Sequence, residues 1–357
     1  MPDRLLLRPG CRYECHGDGT CCTNIHVIGP LNNQDAARVR EAGTIVFPSR
    51  KTVVRKDPGL ERLVVVHDGS ACVFLDEQAR CRIHGSVGPK YKPAPCRRFP
   101  IGATATPDGV RVTLSHRCAC VSIGHSNLLQ EQRAREILVS PWSGRLLRDF
   151  VVGDRVRWRG RTRIRFRDYL PWERSMLASL DRDDGPSIEQ VLAIEPDALA
   201  PLRNVSWDKV ADRMAKWTRG EPFGDGFCCT LRWTEGAIRY GAGWQGPFPK
   251  RPWSWTFERA ARREPDEGNV RRIYGSWLAD ELWSLAWATR STLYTAMADM
   301  AARYVLARRM ASCLEGLGVR ADLAAAESVM IADTLGAWDS WDRVRCRMQE
   351  PAEGVLG

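Results

Sequence analysis

The segment CRYECHGDGTCC, residues 11–22, packs four cysteines into twelve positions, and nine of the chain's thirteen cysteines fall before residue 126. In order they read Cys11-x3-Cys15-x5-Cys21-Cys22, then Cys72-x8-Cys81-x14-Cys96, then Cys118-x-Cys120. A loop-rich region of this kind builds little apolar core, so cross-linking or a shared metal is the physical remedy. The opening MPDRLLLRPG has three consecutive leucines, too few for an export signal. The expected location is therefore the cytoplasm, where disulfides are rare. Thiolate is the soft donor that iron–sulfur clusters and zinc select, each with four ligands. The spacing favours metal but leaves its identity open. The C-x2-C knuckles of zinc ribbons are absent, and so is the ferredoxin run C-x2-C-x2-C. An extended backbone would send Cys21 and Cys22 to opposite faces, to serve two sites or to act as one ligand and one supporting thiol.

All six histidines also precede residue 126, whereas the fourteen tryptophans follow residue 141. This contrast predicts an α+β protein: a small cysteine-cluster metal-binding domain over 1–125 with short strands, then a mainly helical domain over 126–357. Strands are expected at TIVF (44–47), TVVR (52–55), LVVVH (63–67) and VRVTL (110–114). A helix capped by Asn33 and stopped by Gly43 interrupts them. Helices are expected from Ser126 or Asn127, over 168–183, 187–199 and 206–220, and over roughly 269–312 and 322–345. Residues 220–268, rich in Gly, Pro and Trp, read as irregular. Arginine at every second position of RVRWRGRTRIRFR (155–167) predicts a strand with one guanidinium face and one apolar face.

The net charge of +10 comes mostly from arginine, so anionic partners, nucleic acid included, enter the list. No run of about 18 uncharged apolar residues exists to cross a membrane. YGAGWQG (240–246) lacks the strand–turn–helix setting of a dinucleotide fingerprint, which argues against a Rossmann methyltransferase. Tyr240, Trp244, Trp253, Trp255 and Tyr274 are candidates to line a slot for a lysine side chain, or to be core. Arg97 and Arg98 are placed to offset cluster charge or bind a carboxylate, and His84 to support the site or pack. Cys228, Cys229, Cys313 and Cys346 read as buried free thiols.

CVFLDEQARCRIHGSVGPKYKPAPCRRFPIG (72–102), taken with CRYECHGDGTCC, resembles the zinc- or iron-chelating cysteine-cluster family of the YkgJ type. That pattern has an early group ending in a Cys pair, then C-x-F-L, C-x-I-H and K-P-x-x-C-R-x-F-P, and the match covers about residues 11–124. Residues 165–193 and 270–310 resemble the longer flagellin lysine-N-methylase (FliB) type. The resemblance implies a 4Fe–4S cluster held by a subset of Cys11, Cys15, Cys21, Cys22, Cys72, Cys81, Cys96 and Cys118, with Cys120 less supported. It also implies S-adenosylmethionine-dependent methylation of a protein substrate with an accessible lysine, such as flagellin. The alternative is a non-catalytic zinc- or iron-binding module whose basic surface binds nucleic acid or a protein partner.

Overall fold

The computed structural model describes residues 4–351 apart from 24, 26–30, 57–62, 69–70, 125–126, 221–224 and 264–269. Its architecture is α+β, with short strands in the first half and helices after them. Strand β1 (Leu5–Leu6) precedes helix α1 (Asn33–Val46), then β2 (Val54–Lys56), β3 (Leu63–Val65), β4 (His67–Asp68) and β5 (Ala71–Cys72). Two one-turn helices, α2 (Arg82–Ser86) and α3 (Ala94–Arg98), lead to the hairpin β6 (Ile101–Thr106) and β7 (Gly109–Leu114). After α4 (Ala119–Ile123) and α5 (Glu131–Leu138), β8 (Phe150–Val151) completes a four-stranded sheet of order β1-β7-β6-β8.

Asn32, not Asn33, caps α1, its side chain accepting the Asp35 N–H at 2.7 Å. Gly43 does not stop this helix, and TIVF is its last turn rather than a strand. A Cβ on Gly43 would stand 2.6 Å from Val53, so the glycine is kept for close packing within the helix. VRVTL and the 54–56 and 63–65 segments are strands, pairing in register Val54↔Val65 and Ala103↔Val112. Helix α5 begins at Glu131, later than expected. Asn127 to Leu129 instead run beside the first cysteine segment, and Ser126 lies outside the described residues.

The arginine-rich stretch is a hairpin, not one strand: β9 (Arg155–Arg157) and β10 (Arg163–Arg165) pair antiparallel. Its apolar positions still face inward, with Val156 and Phe166 buried. Helix α6 (Phe166–Asp181) follows directly, then α7 (Ile188–Leu192) and α8 (Trp207–Gly220). The stretch expected to be irregular holds two helices, α9 (Asp225–Tyr240) and α10 (Ser254–Ala261). Their apolar faces pack on the central helices, and packing overrides the local glycine content. The remainder is α11 (Val270–Ser284), α12 (Leu293–Gly316), α13 (Ala321–Gly336) and α14 (Trp341–Arg345). Among the described residues no helix is long and apolar enough to cross a membrane.

Helices α12 and α13 are buried along almost their whole length and form the centre of the main core. The charges they bury are paired. Asp299 accepts from Trp341 at 2.6 Å and Arg345 at 3.1 Å, and Glu327 takes the Trp253 indole N–H at 2.8 Å. Helix α4 packs on α13 and α10, so the last cysteines of the first half rest on this core. A second small core lies under the β6–β7 hairpin, and a third under α1, β2 and β3.

Gly275 marks a close contact between helix backbones: a Cβ there would lie 2.3 Å from the Leu180 carbonyl oxygen at the end of α6. Helix propensity alone predicts that Gly275→Ala stabilises by about 1 kcal/mol. Forcing a methyl against backbone costs about 1–3 kcal/mol or more. The melting midpoint of this variant is therefore expected to fall, and a rise would refute the packing argument.

Candidate metal centre

The first cysteine segment is held beside Asn127 to Leu129. Tyr13 N–H donates to Asn127 O at 3.1 Å, and Leu129 N–H to Cys11 O at 3.0 Å. Gly17 (φ +66°) and Gly19 (φ +72°) then turn the chain through left-handed conformations. A Cβ on Gly19 would stand 2.7 Å from the Ala79 carbonyl, so the residue permits the turn and brings this loop onto the 76–81 loop. That second loop is closed by Asp76, whose Oδ1 accepts the Gln78 and Arg80 N–H groups at 2.9 and 2.8 Å. A bridge between Leu75 and Cys81 and another between Thr23 and Ala71 complete the apposition. Pro93 caps α3, and Pro95 lies in its first turn, which carries Cys96.

Cys21 and Cys22 are not extended. They lie in a 3-10 turn, Thr20–Cys22, and their thiols hydrogen-bond each other, so the opposed orientation expected of a strand does not occur. This mutual hydrogen bond, with burial, holds Cys21 well above the usual thiol range. Burial pushes Cys72 up to about 11, and the charges of Cys81 and Cys21 add to it. Cys96 is raised by burial and by Cys72, Cys21 and Cys81. Cys21, Cys22, Cys72, Cys81 and Cys96 thus form one thiol-rich group. Lys92 stands in it: burial opposes its charge, but Cys81, Cys96, Cys22 and Cys21 outweigh that and hold the ammonium above its ordinary value.

Cys15, Cys118 and Cys120 form a neighbouring group. Cys120 shares hydrogen bonds with both Cys118 and Cys15, and the one with Cys120 raises Cys15 above the usual thiol range. The His16 backbone N–H reaches the Cys120 sulfur at 3.4 Å, and the Cys120 thiol lies 4.0 Å from Asp18 Oδ2. Tyr13 adjoins this group and also feels Cys21. Cys11 faces elsewhere: burial and Asp280 push it up to about 11, and Arg8 works against them.

Of the eight expected ligands, the structure therefore gathers five in one group and two in the other, with Cys11 set towards Arg8. Sequence reasoning gave Cys120 less weight and left out His16, Asp18 and Lys92. The alternation of donors and glycines in Cys15-His16-Gly17-Asp18-Gly19 was the signal for two of these. Charge beside the thiols comes from Lys92 rather than from the two arginines. Arg98 binds the Asp149 carboxylate, and Arg97 donates to the Ile137 and Val139 carbonyls at 3.1 and 3.0 Å. His84 is exposed on α2. Cys346 is exposed rather than buried, unlike Cys228, Cys229 and Cys313. Trp253 and Tyr274 are core residues, and Trp244 stacks on Phe248 beside Tyr240, so no open slot is formed there.

The donor set fits a thiophilic metal. Its sulfurs converge from separate chain segments, and a soft cation would displace the protons they carry as thiols. A separate cavity of about 800 Å³ lies between the β6–β7 hairpin and helices α11 to α13. Its wall includes Phe99, Arg117, Glu281, Trp287, Arg303 and Asp333.

Residues 11–119 match a protein-family model, CxxCxxCC, described as "Putative zinc- or iron-chelating domain". The matched stretch contains all eight expected ligands and supports a metal-binding module there. No curated protein and no solved structure matches the chain.

Proposed function

We propose that this is an iron–sulfur protein that methylates lysine on a protein substrate, with S-adenosylmethionine as donor. The observation that carries the metal half is the thiol-rich group, in which four of Cys21, Cys22, Cys72, Cys81 and Cys96 would hold a 4Fe–4S cluster. Its donors are all sulfur, they arrive from three chain segments, and Lys92 offsets part of their charge. The methyl-transfer half is supported by the resemblance of 165–193 and 270–310 to the flagellin methylase type. The 800 Å³ cavity is within the range of small-molecule sites. Its walls carry both signs of charge, as a donor with a carboxylate and a sulfonium requires. The guanidinium of Arg117 would take the carboxylate, Arg303 being already paired with Glu281, Asp299 and Asp333. Glu281, which burial pushes above the usual carboxylate range, would accept the proton that a lysine must lose before attack.

Anaerobically purified protein should be brown, absorb broadly near 400 nm and contain iron and acid-labile sulfide. A colourless protein carrying only zinc would refute the cluster. Calorimetry should detect S-adenosylmethionine binding that weakens on Arg117→Ala, and no binding by the loaded protein would refute methyl transfer.

A second reading, a non-catalytic metal module that binds nucleic acid, is favoured by the β9–β10 hairpin. Arg155 lies opposite Arg165, and Arg157 opposite Arg163, like-charge pairs that are unfavourable unless an anion lies across them. If RNA or DNA binds there, affinity should fall steeply with salt and lose slope on Arg163→Ala. A flat salt response would dismiss this reading.

A further inference from the structure

We infer that the protein has two separate metal centres: beside the thiol-rich one, His16, Asp18 and Cys120 form a second site for a divalent cation of borderline softness, zinc above all. The ligand atoms of these three side chains all lie within 4.8 Å of one another. Asp18 and Cys120 are 5% and 4% exposed. Asp18 divides its carboxylate: Oδ1 accepts the Thr20 N–H at 3.1 Å, and Oδ2 faces the Cys120 sulfur. That leaves one carboxylate oxygen, one imidazole and one thiol directed into the same space.

Cys15, the neighbour of His16, is exposed, so water can reach the edge of this trio and complete a zinc shell there. Zinc accepts this mixture of nitrogen, oxygen and sulfur, whereas iron–sulfur clusters are held chiefly by thiolates. The donors are fixed by the main core. The loop is tied to α10 through the Thr20 and Thr256 hydroxyls, and Cys120 belongs to α4, which rests on α13.

Two centres follow from the number and grouping of donors. A zinc ion or a 4Fe–4S cluster takes four protein ligands. The two groups together offer more than either can use. Within each group thiols hydrogen-bond directly, Cys21 to Cys22 and Cys15 to Cys120 to Cys118. The inference shares the thiol-rich centre with the iron–sulfur reading, but it stands even if that centre holds zinc.

The test uses the full chain, purified anaerobically and titrated with zinc chloride, with metals counted per chain. With the thiol-rich centre filled, whether by iron and sulfide or by zinc, one further equivalent of zinc is expected per chain, and none overturns the inference. His16→Ala combined with Asp18→Asn should lose one equivalent of zinc and keep the iron, the sulfide and the 400 nm band. Cys72→Ser combined with Cys96→Ser should do the reverse. Loss of the visible band in the first variant, or zinc fully retained there, overturns two separate sites. X-ray absorption at the zinc edge of the unmutated protein covers the case of a variant that misfolds. A mixed sulfur and nitrogen/oxygen shell is expected, and a shell of sulfur alone overturns the inference. Absence of iron with two zinc equivalents, one bound through the mixed shell, would fail the iron–sulfur reading while upholding this one.

Discussion

Chelation of the bound metal, with oxidative release if it is an iron–sulfur cluster, is expected to open residues 11–98 to protease while the α11–α13 core stays folded. The reason lies in how little else holds that region together. Its strands β2 to β5 are two or three residues long, and its core beneath α1 rests on about ten buried side chains such as Val39, Phe74 and Ile83. A core of that size is marginal by itself. Structural zinc sites contribute an apparent 10–16 kcal/mol, roughly, to the folding of small domains. Removing such a contribution should loosen the backbone around Arg50, Lys51, Arg80 and Arg82 enough for trypsin to cut there within minutes, whereas α12 and α13, buried along their length, should resist. The measurement is limited proteolysis read by mass spectrometry before and after metal removal. An unchanged cleavage map would show that the apolar contacts suffice.

Replacing Arg111 by alanine is expected to lower stability by about 3–5 kcal/mol, the cost of breaking one side of a buried ion pair. Arg111 projects from β7, is fully buried, and meets both oxygens of Glu173 on α6 at 2.6 and 2.9 Å. Glu173 is 1% exposed and also accepts from the Tyr169 hydroxyl at 3.0 Å. The guanidinium lies 4.3 Å from the centroid of the Trp283 ring, whose indole N–H donates to the Val112 carbonyl at 3.0 Å. This cluster joins the four-stranded sheet to α6 and α11. Without Arg111, Glu173 is left as an unpaired buried carboxylate, and Glu173→Ala leaves the converse charge. Arg111→Met with Glu173→Leu removes both charges and should be less damaging than either alanine variant. Melting midpoints of the four proteins decide it. A double variant less stable than both singles would mean that the pair does more than cancel its own desolvation.

The cysteine spacing was enough to foresee a metal module, because soft donors at such density, when not joined as disulfides, have few other uses. Helices α6 and α8 were legible from their periodicity, and so was β7 from its alternation. TIVF was misread because β-branched residues favour strands locally, while the actual helix is set by α1 packing on Val53 through Gly43. Helices α9 and α10 were hidden by glycine, proline and tryptophan, whose apolar faces only acquire meaning against α12 and α13. The arginine stripe had the right faces but the wrong length, since Gly160 (φ +51°) turns the chain at its centre. At the site, adjacency of Cys21 and Cys22 implied opposed side chains only on the assumption of extended backbone. The glycine-bounded 3-10 turn removes that assumption. Lys92 was obscured because no local rule links a lysine to thiols that approach it from two other segments besides Cys96, four residues on.

The Arg8–Asp280–His116 contact carries a consequence for how the protein is made. Asp280 accepts from Arg8 Nε at 2.7 Å and meets His116 Nε2 at 3.0 Å. One carboxylate of α11 thereby fastens a residue three before Cys11 and another two before Cys118. A ribosome that has finished Cys22 must add roughly 250 more residues before Asp280 exists, about 10–50 s at ordinary elongation rates. Through that interval the early thiols lack the helical bed on which they are arranged, and they stand open to oxidants and to any passing soft cation. Correct metal loading therefore belongs to the finished chain, and the yield of holoprotein should depend on how reducing the cell is while translation proceeds.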